Sequence, residues 1–411
     1  MKPEACGTLS GVLASPALIT YPTPLCAQSA RLEKVPSFNA GEFMRSSLTF
    51  LAKVLSIVVS TLFTLIVIEL LVRAANGTPV LAWQDWRTVN VRDLQPSSIY
   101  DASVGWLQKP HIISPDLNTI EHGIRKNSNR EEAPDQSAIL AVGDSFVVGG
   151  EVKDAEAWPA HLERITGLRV LNAGVNGYGV DQTGLNAERL LPVLKPKLVL
   201  VGILADDIAR SRYRVRIAPK PYFSQENGVW DLRNVPVPRR VQSRPETIGK
   251  ALLAHSYALH RLMLKREDFR DFWFTGSGLT FDVAHNDGAG ASCHALSRLA
   301  PRLAAAGAPG LVVMQYEGWH HVDGKRPADV EKVLACARSN GFGIVDQFDR
   351  LTSVARASTD QLKSYYMMHA KWSFGHMSPA GNAVVGALVA EHLKTAPELT
   401  RGVAQVPGRT R

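Results

Sequence analysis

From residue 138 onward, two kinds of hydrophobic run alternate along the chain. Segments apolar at nearly every position fall at 138–142, 168–172, 197–204, 309–316 and 343–348. Apolar residues with helical spacing recur around 155–165, 181–194, 294–306, 327–339 and 378–394. A strand without a polar face is buried on both sides, so this succession predicts a parallel sheet sandwiched between helices. The alternation breaks between about 209 and 292, where Lys220-Pro-Tyr-Phe223, Asn227-Gly228 and Pro236-Val-Pro238 mark turns and a helical pattern covers 245–266. That region reads as an insertion or cap beside the sheet.

A different pattern precedes the sheet. Val54 to Ile68 is an uncharged run, extended by Leu48–Ala52 before Lys53 and by Leu70–Val72 after Glu69. A helix over 48–72 is long enough for a hydrocarbon core of about 30 Å and has no polar face. Lys53 can snorkel, and Glu69 is placed to pair with Arg73 one turn on. No small-residue cleavage site follows, which favours an uncleaved signal anchor. Arg45 and Lys53 favour a cytoplasmic N-terminus and an extracytoplasmic remainder, periplasmic in a Gram-negative cell, with the chain a single-pass protein of the inner membrane. Residues 1–43 lack periodicity and read as a disordered leader or a misplaced start. Residues 76–135 read as a stalk and lead-in, 136–395 as the α/β domain, and 396–411 as a tail.

Composition narrows the function classes. The 411 residues carry a formal charge of +8, but the basic residues are dispersed and match no nucleic-acid-binding motif. The four cysteines, at 6, 26, 293 and 336, have no Cys-x-x-Cys spacing, which argues against structural zinc. Cys293 and Cys336 fall on predicted helices, where one disulfide or two buried thiols would both fit.

Candidate chemistry gathers at the carboxyl ends of the predicted strands, where such sheets place reactive groups. The first strand runs into Gly143-Asp144-Ser145, with Gly149-Gly150 close behind. A serine at a strand-to-helix turn stands near unpaired N–H groups able to hold an oxyanion. Asn172-Ala-Gly174-Val-Asn-Gly177 follows the second strand and Ala205-Asp206-Asp207 ends the third. His376 lies in Gly375-His-Met-Ser-Pro-Ala-Gly-Asn382, where Ser378-Pro379 suits the start of the last helix. Over roughly residues 95–395 this order resembles the SGNH (GDSL-type) hydrolases, esterases and acyl-transfer enzymes with a flavodoxin-like, three-layer α/β/α fold and a mostly parallel five-stranded sheet.

The resemblance implies Ser145 as nucleophile and His376 as base, with Gly177 and Asp206 at the oxyanion positions. Two places depart from the family's pattern. Asparagine is usual where Asp206 stands. A carboxylate roughly 4 Å from an oxyanion costs several kcal/mol, so Asp206 would have to be protonated to donate. An aspartate is usual two or three residues before the histidine, where this chain has Phe374 and Ser373. Ser373 or Asp360 is then expected to orient His376. No cofactor or metal is implied. Trp319-His-His-Val-Asp323 reads as a pocket-lining loop, since adjacent histidines usually point apart and His320, His321 and Asp323 would make a poor metal set. Arg210, Arg212, Arg214 and Arg216, if extended, present four guanidinium groups on one face. They would form either a solvated edge strand or a rim attracting an anionic glycan or headgroup.

These readings converge on a membrane-anchored extracytoplasmic serine esterase or acyl hydrolase. Its substrate would be an ester, such as an O-acylated cell-envelope glycan, and a membrane acyltransferase is a candidate partner. The alternative is a catalytically degenerate binding or scaffold protein in polysaccharide assembly.

Overall fold

The apolar runs become strands in the computed structural model, with boundaries shifted by one or two residues. The structure describes residues 40–83, 85–86, 97–128, 137–216, 218–239, 247–263, 269, 272–273, 281–370 and 373–406. The leader expected over 1–43, with Cys6 and Cys26, falls almost wholly outside the described residues, as do Arg130–Gln136. The chain divides into two units, residues 1–66 and 67–411.

Helix α1, Ala40–Ala75, contains the apolar stretch. Among the described residues it is the one helix long and apolar enough to cross a membrane, over Leu48–Ala75. Its large side chains from Leu48 to Leu71 are exposed, as a lipid-facing helix requires. The expected Glu69–Arg73 pair forms at 2.7 Å.

In the second unit, a hairpin of β1 (Ser98–Asp101) and β2 (Gly105–Gln108) precedes the main sheet. It lies within the segment read as a stalk, yet it packs into the body: Val104 and Trp106 join Tyr178 and Phe223 in one buried cluster. The main sheet comprises β3 (Ile139–Gly143), β4 (Val170–Gly174), β5 (Leu198–Leu204), β11 (Gly310–Gln315) and β12 (Gly343–Asp346). Its spatial order is β12-β11-β5-β3-β4, and every pairing is parallel. In sheet-strand terms this is the order 2-1-3-4-5, which reverses direction beside β3 and opens a crevice there.

The sheet is sandwiched. One face packs on helix α4 (Val180–Leu194) and the helices Gly288–Ala305 and Ala328–Ser339. The other packs on α3 (Trp158–Thr166) and the C-terminal helix Pro379–Thr395. Cys293 and Cys336 form a disulfide joining two helices of the first face. Closing a loop of 43 residues restricts the unfolded chain by about 4 kcal/mol in the chain-entropy model.

The described residues of the 209–292 region carry antiparallel strands and short helices. Strands β6 (Tyr213–Arg216), β7 (Ala218–Pro219) and β10 (Phe281–Val283) form one sheet, while β8 (Tyr222–Glu226) and β9 (Val229–Arg233) form a hairpin. The hairpin turns at Asn227 and Gly228, both in the left-handed region as a two-residue loop demands. The helical pattern at 245–266 resolves into two short helices, α6 (Ile248–Leu253) and α7 (Tyr257–Met263).

The four-arginine face is not formed. Arg210 ends helix α5 (Ala205–Arg210), so only Arg214 and Arg216 lie on the extended β6. Trp319–Asp323 is likewise no loop but part of a helix, Gly318–Asp323. His320 and His321 are buried in it, near Glu317 and Thr352 respectively.

Candidate active site

Ser145 opens helix α2 (Ser145–Val148), directly after β3. The Asp144 carboxylate caps this turn by accepting the Phe146 N–H at 2.8 Å. Beneath it the sheet is pared back. A Cβ on Gly143 or Gly202 would stand 2.3 or 2.2 Å from Val147 Cγ2, and one on Gly174 would stand 2.3 Å from the Val148 nitrogen. Glycine at the ends of β3 and β4 and at Gly202 near the end of β5 therefore lets α2 sit on the sheet itself. The buried Asn172 amide adds a hydrogen bond to the Val147 carbonyl at 3.0 Å. Ser145 is thereby fixed over the crevice beside β3.

His376 arrives from the far end of the chain, on the hairpin of β13 (Tyr366–Ala370) and β14 (Ser373–Met377). Ser378 caps the following helix through the Gly381 N–H, with Pro379 in its first turn. Asn382 donates to the carbonyls of Met377 and Ser378 and accepts the Trp158 N–H, locking the hairpin's base to α3. The imidazole Nε2 lies 2.9 Å from Ser145 Oγ. Gly150 makes room for it, since a Cβ there would be 3.2 Å from His376 Nε2.

The residue on the other side of the imidazole was not foreseen. Glu151 Oε2 lies 2.7 Å from His376 Nδ1 and accepts the His376 backbone N–H at 3.0 Å. Its second oxygen lies 2.7 Å from His369 Nε2. Gly375 again leaves the space, because a Cβ there would press on His369 Nε2 at 2.8 Å and Glu151 Oε2 at 2.9 Å. Burial raises the Glu151 pKa, but the hydrogen bonds from His376 and His369 outweigh it and hold the carboxyl down at about 2. Ser145, His376 and Glu151 thus form a continuous hydroxyl–imidazole–carboxylate relay. The network assigns Nδ1 as the protonated nitrogen and leaves Nε2 to accept from the hydroxyl.

Arg125 supports the loop that carries Glu151. Its buried guanidinium donates to the carbonyls of Val148 and Gly149, each at 2.5 Å, Val152 at 2.6 Å and Asp116 at 2.7 Å. Nε pairs with Asp154 at 2.8 Å. Burial draws the Arg125 pKa below its ordinary value, opposed by Asp154. Four carbonyls and one carboxylate satisfy all five donors of the fork.

The other expected site residues separate. Gly177 occupies the turn before α4 with φ of 79°. The carbonyl of the preceding residue, Asn176, accepts the Trp106 indole N–H at 2.9 Å. A planar trans peptide then fixes the direction of the Gly177 N–H. Asp206 is turned to Arg210, whose Nε donates to its Oδ2 at 2.8 Å. Arg210 also binds Asp144 at 2.9 Å and Asp207 at 2.7 Å. Burial, then the charge of Asp144, raises the Asp207 pKa well above its ordinary value despite Arg210. Burial would lower the Arg210 pKa, but the three surrounding carboxylates raise it further.

Neither expected orienting residue takes that place. Asp360 is 93% exposed and pairs with Lys363 at 3.2 Å. Ser373 is exposed at the start of β14, opposite Ala370. Glu151 lies six positions after Ser145 in a sequence signal already noted, the Gly149-Gly150 turn. A carboxylate following that turn at a sheet's switch point was the available clue.

A cavity of about 410 Å³ adjoins this loop, and Gly150, Glu151, Lys153, Asp116, Asn176 and Met367 are among its lining residues.

No protein-family model matches the sequence, and no curated protein matches it. Solved structures similar to this chain include a protein of the G-D-S-L family from Desulfitobacterium hafniense, at 9% identity and TM-score 0.33, with 62% of this chain and 99% of that one covered. An acetyl xylan esterase matches at 10% identity and TM-score 0.36, covering 62% and 99%. The lipase/acylhydrolase from Enterococcus faecalis matches at 12% identity and TM-score 0.35, covering 67% and 100%. The similarity is to G-D-S-L-type proteins and esterases.

Proposed function

We propose that the chain is a membrane-anchored serine esterase or O-acyl-transfer enzyme working through Ser145, His376 and Glu151. The observation that carries this reading is the unbroken relay, 2.9 Å from Ser145 Oγ to His376 and 2.7 Å from His376 to Glu151. A base must reach the proton it removes, and a charged imidazole needs a counter-charge. Ser145 Oγ attacks the acyl carbon while His376 Nε2 takes its proton, and Glu151 stabilises the imidazolium formed. The tetrahedral oxyanion is held by the N–H groups of Ser145 and Gly177. Collapse expels the alcohol, which takes the proton from His376 and leaves an acyl ester on Ser145. Water then completes hydrolysis, or a second hydroxyl completes transfer, with His376 again acting as base. Asp206, tied to Arg210, adds no donor, and one missing oxyanion donor costs about 10²–10³ in kcat.

The adjoining cavity mixes apolar residues such as Leu117, Val152 and Met367 with charged ones such as Asp116 and Lys153, a lining that suits a short acyl group on a hydrophilic alcohol, such as an O-acylated envelope glycan. The disulfide supports an oxidising, extracytoplasmic compartment, in keeping with the topology inferred from Arg45 and Lys53. Alkaline phosphatase fused after residue 130 should therefore be active. Inactivity there, with activity of a cytoplasmic reporter, would reverse the topology.

One observation favours the scaffold reading instead: an ion pair where an oxyanion-binding amide would be expected. A fluorophosphonate probe decides between them. The serine enzyme should label at Ser145 and lose the label in Ser145→Ala, whereas a folded wild-type protein that fails to label would leave the scaffold.

A further inference from the structure

We propose that a small helical module beside the end of α1 rests on the bilayer surface, so that the chain meets lipid twice. This rests on the reading that α1 crosses a membrane. The module contains residues 79–83, 85 and 86, α6, α7 and the described residues Phe272 and Trp273, and it is fastened to the last turns of α1 by charged side chains. Glu69 accepts from Ser256 Oγ at 2.8 Å and from the N–H groups of Tyr257 and Ala258 at 2.7 and 2.9 Å. Arg73 donates to the carbonyls of Val80, Ala82 and His255 at 3.0, 2.7 and 3.1 Å. Trp86 donates to the carbonyls of Ala254 and His255, and Trp83 stacks on the His255 ring at 4.4 Å. Glu69 and Arg73 are the first charges after the long apolar run, so they mark where the helix leaves hydrocarbon. Whatever they hold lies at headgroup level.

The module's own composition points to the same place. Its interior is small, centred on buried Ala254 and Trp273. Outside it shows Ile248 at 80% exposure, Trp83 at 76%, Leu252 at 62% and Phe272 at 61%. Ile248 and Leu252 are one helical turn apart and share a side of α6. Lys250 folds over the Phe272 ring at 4.7 Å, setting a cation beside the apolar groups. Exposed aliphatic and aromatic side chains with an adjacent lysine suit the interface of an anionic bilayer. In water the same surface would be an unfavourable patch.

The test uses the full chain with Cys6→Ser and Cys26→Ser, reconstituted in vesicles of phosphatidylethanolamine and phosphatidylglycerol. Single spin labels are placed through Leu252→Cys and Phe272→Cys, with Leu62→Cys as the reference within the span and Val229→Cys as the aqueous reference. Relaxation by oxygen reports lipid, and relaxation by a nickel chelate reports water. Positions 252 and 272 should show an oxygen-to-nickel ratio about fivefold or more above that at 229. Ratios equal to that at 229, with 62 still in lipid, would overturn the surface contact and leave the span standing. A water-accessible 62 would instead overturn the span and the surface contact with it. Protection of 252 and 272 from both reagents would overturn lipid as the occupant, because a protein surface would then cover them.

Discussion

Glu151 and Asp206 are acidic residues on the segments that follow two adjacent strands, β3 and β5, at the same end of the sheet. Glu151 faces two imidazoles and is held by them as a carboxylate. Asp206 faces Arg210, whose guanidinium is already shared with the buried Asp144 and Asp207. An imidazole changes charge during a reaction cycle and a guanidinium does not. A carboxylate opposite the first can respond to chemistry, whereas one opposite the second stays committed to the fold. The partner, more than the acid, determines what the carboxylate can do.

The comparison breaks first at the nucleophile. Ser145→Ala should lower ester turnover by on the order of 10⁴ or more while leaving thermal unfolding nearly unchanged. Retained turnover would mean that the relay does not carry the reaction.

Glu151→Gln comes next. The amide can still contact His376 but cannot stabilise an imidazolium, so kcat should fall by about 10²–10⁴ with little loss of fold. Stopped-flow turnover and urea melts on the same preparation would show both. A loss below threefold would return the orienting role to another group.

The third prediction inverts that pattern. Arg210→Met leaves three carboxylates around an apolar side chain and should destabilise the fold by about 3–5 kcal/mol in urea unfolding. Its effect on kcat at a permissive temperature should be smaller than that of Glu151→Gln. The opposite ranking would place Arg210 in the chemistry.

Acid unfolding sharpens the contrast. The Glu151 pKa falls from 4.5 to about 2 on folding, so its contribution to stability is complete above pH 4.5 and is lost as pH drops through about 2. A pH series of melts should therefore show part of the wild-type acid destabilisation missing from Glu151→Gln. The smallest effect is expected for Asp206→Asn, which exchanges one ion pair for an amide. Activity on a short acyl ester should be kept or raised, within about tenfold. Loss of activity in a folded Asp206→Asn protein would mean that the carboxylate itself is required.

The sheet was legible in the sequence because burial on both faces writes itself as unbroken apolar runs, and β3, β5 and β11 follow those runs within a residue or so. Ser145 was singled out by its glycine-framed turn and His376 by the family resemblance before a capped last helix, and the structure brings the two within 2.9 Å. Glu151 was not singled out because the family resemblance places an acid just upstream of His376, and across a separation of 225 residues the Gly149-Gly150 turn is its one local mark. The Arg210–Arg216 alternation misled in another way. It has strand periodicity, yet Arg210 is drawn back into α5 by Asp206 and Asp207. Local patterns report faces well and long-range charge pairing poorly.

The three glycines beneath α2 have a consequence for anyone scanning this chain by mutation. Gly143, Gly174 and Gly202 perform no chemistry, yet any side chain there would collide with Val147 or the Val148 nitrogen. In a library scored by activity alone, these positions would look as intolerant as Ser145, though for a different reason. Substitutions at the glycines should deplete the protein itself, whereas Ser145→Ala should leave an abundant but inert molecule. Reading abundance beside turnover would divide the scan into the platform and the reagents it holds.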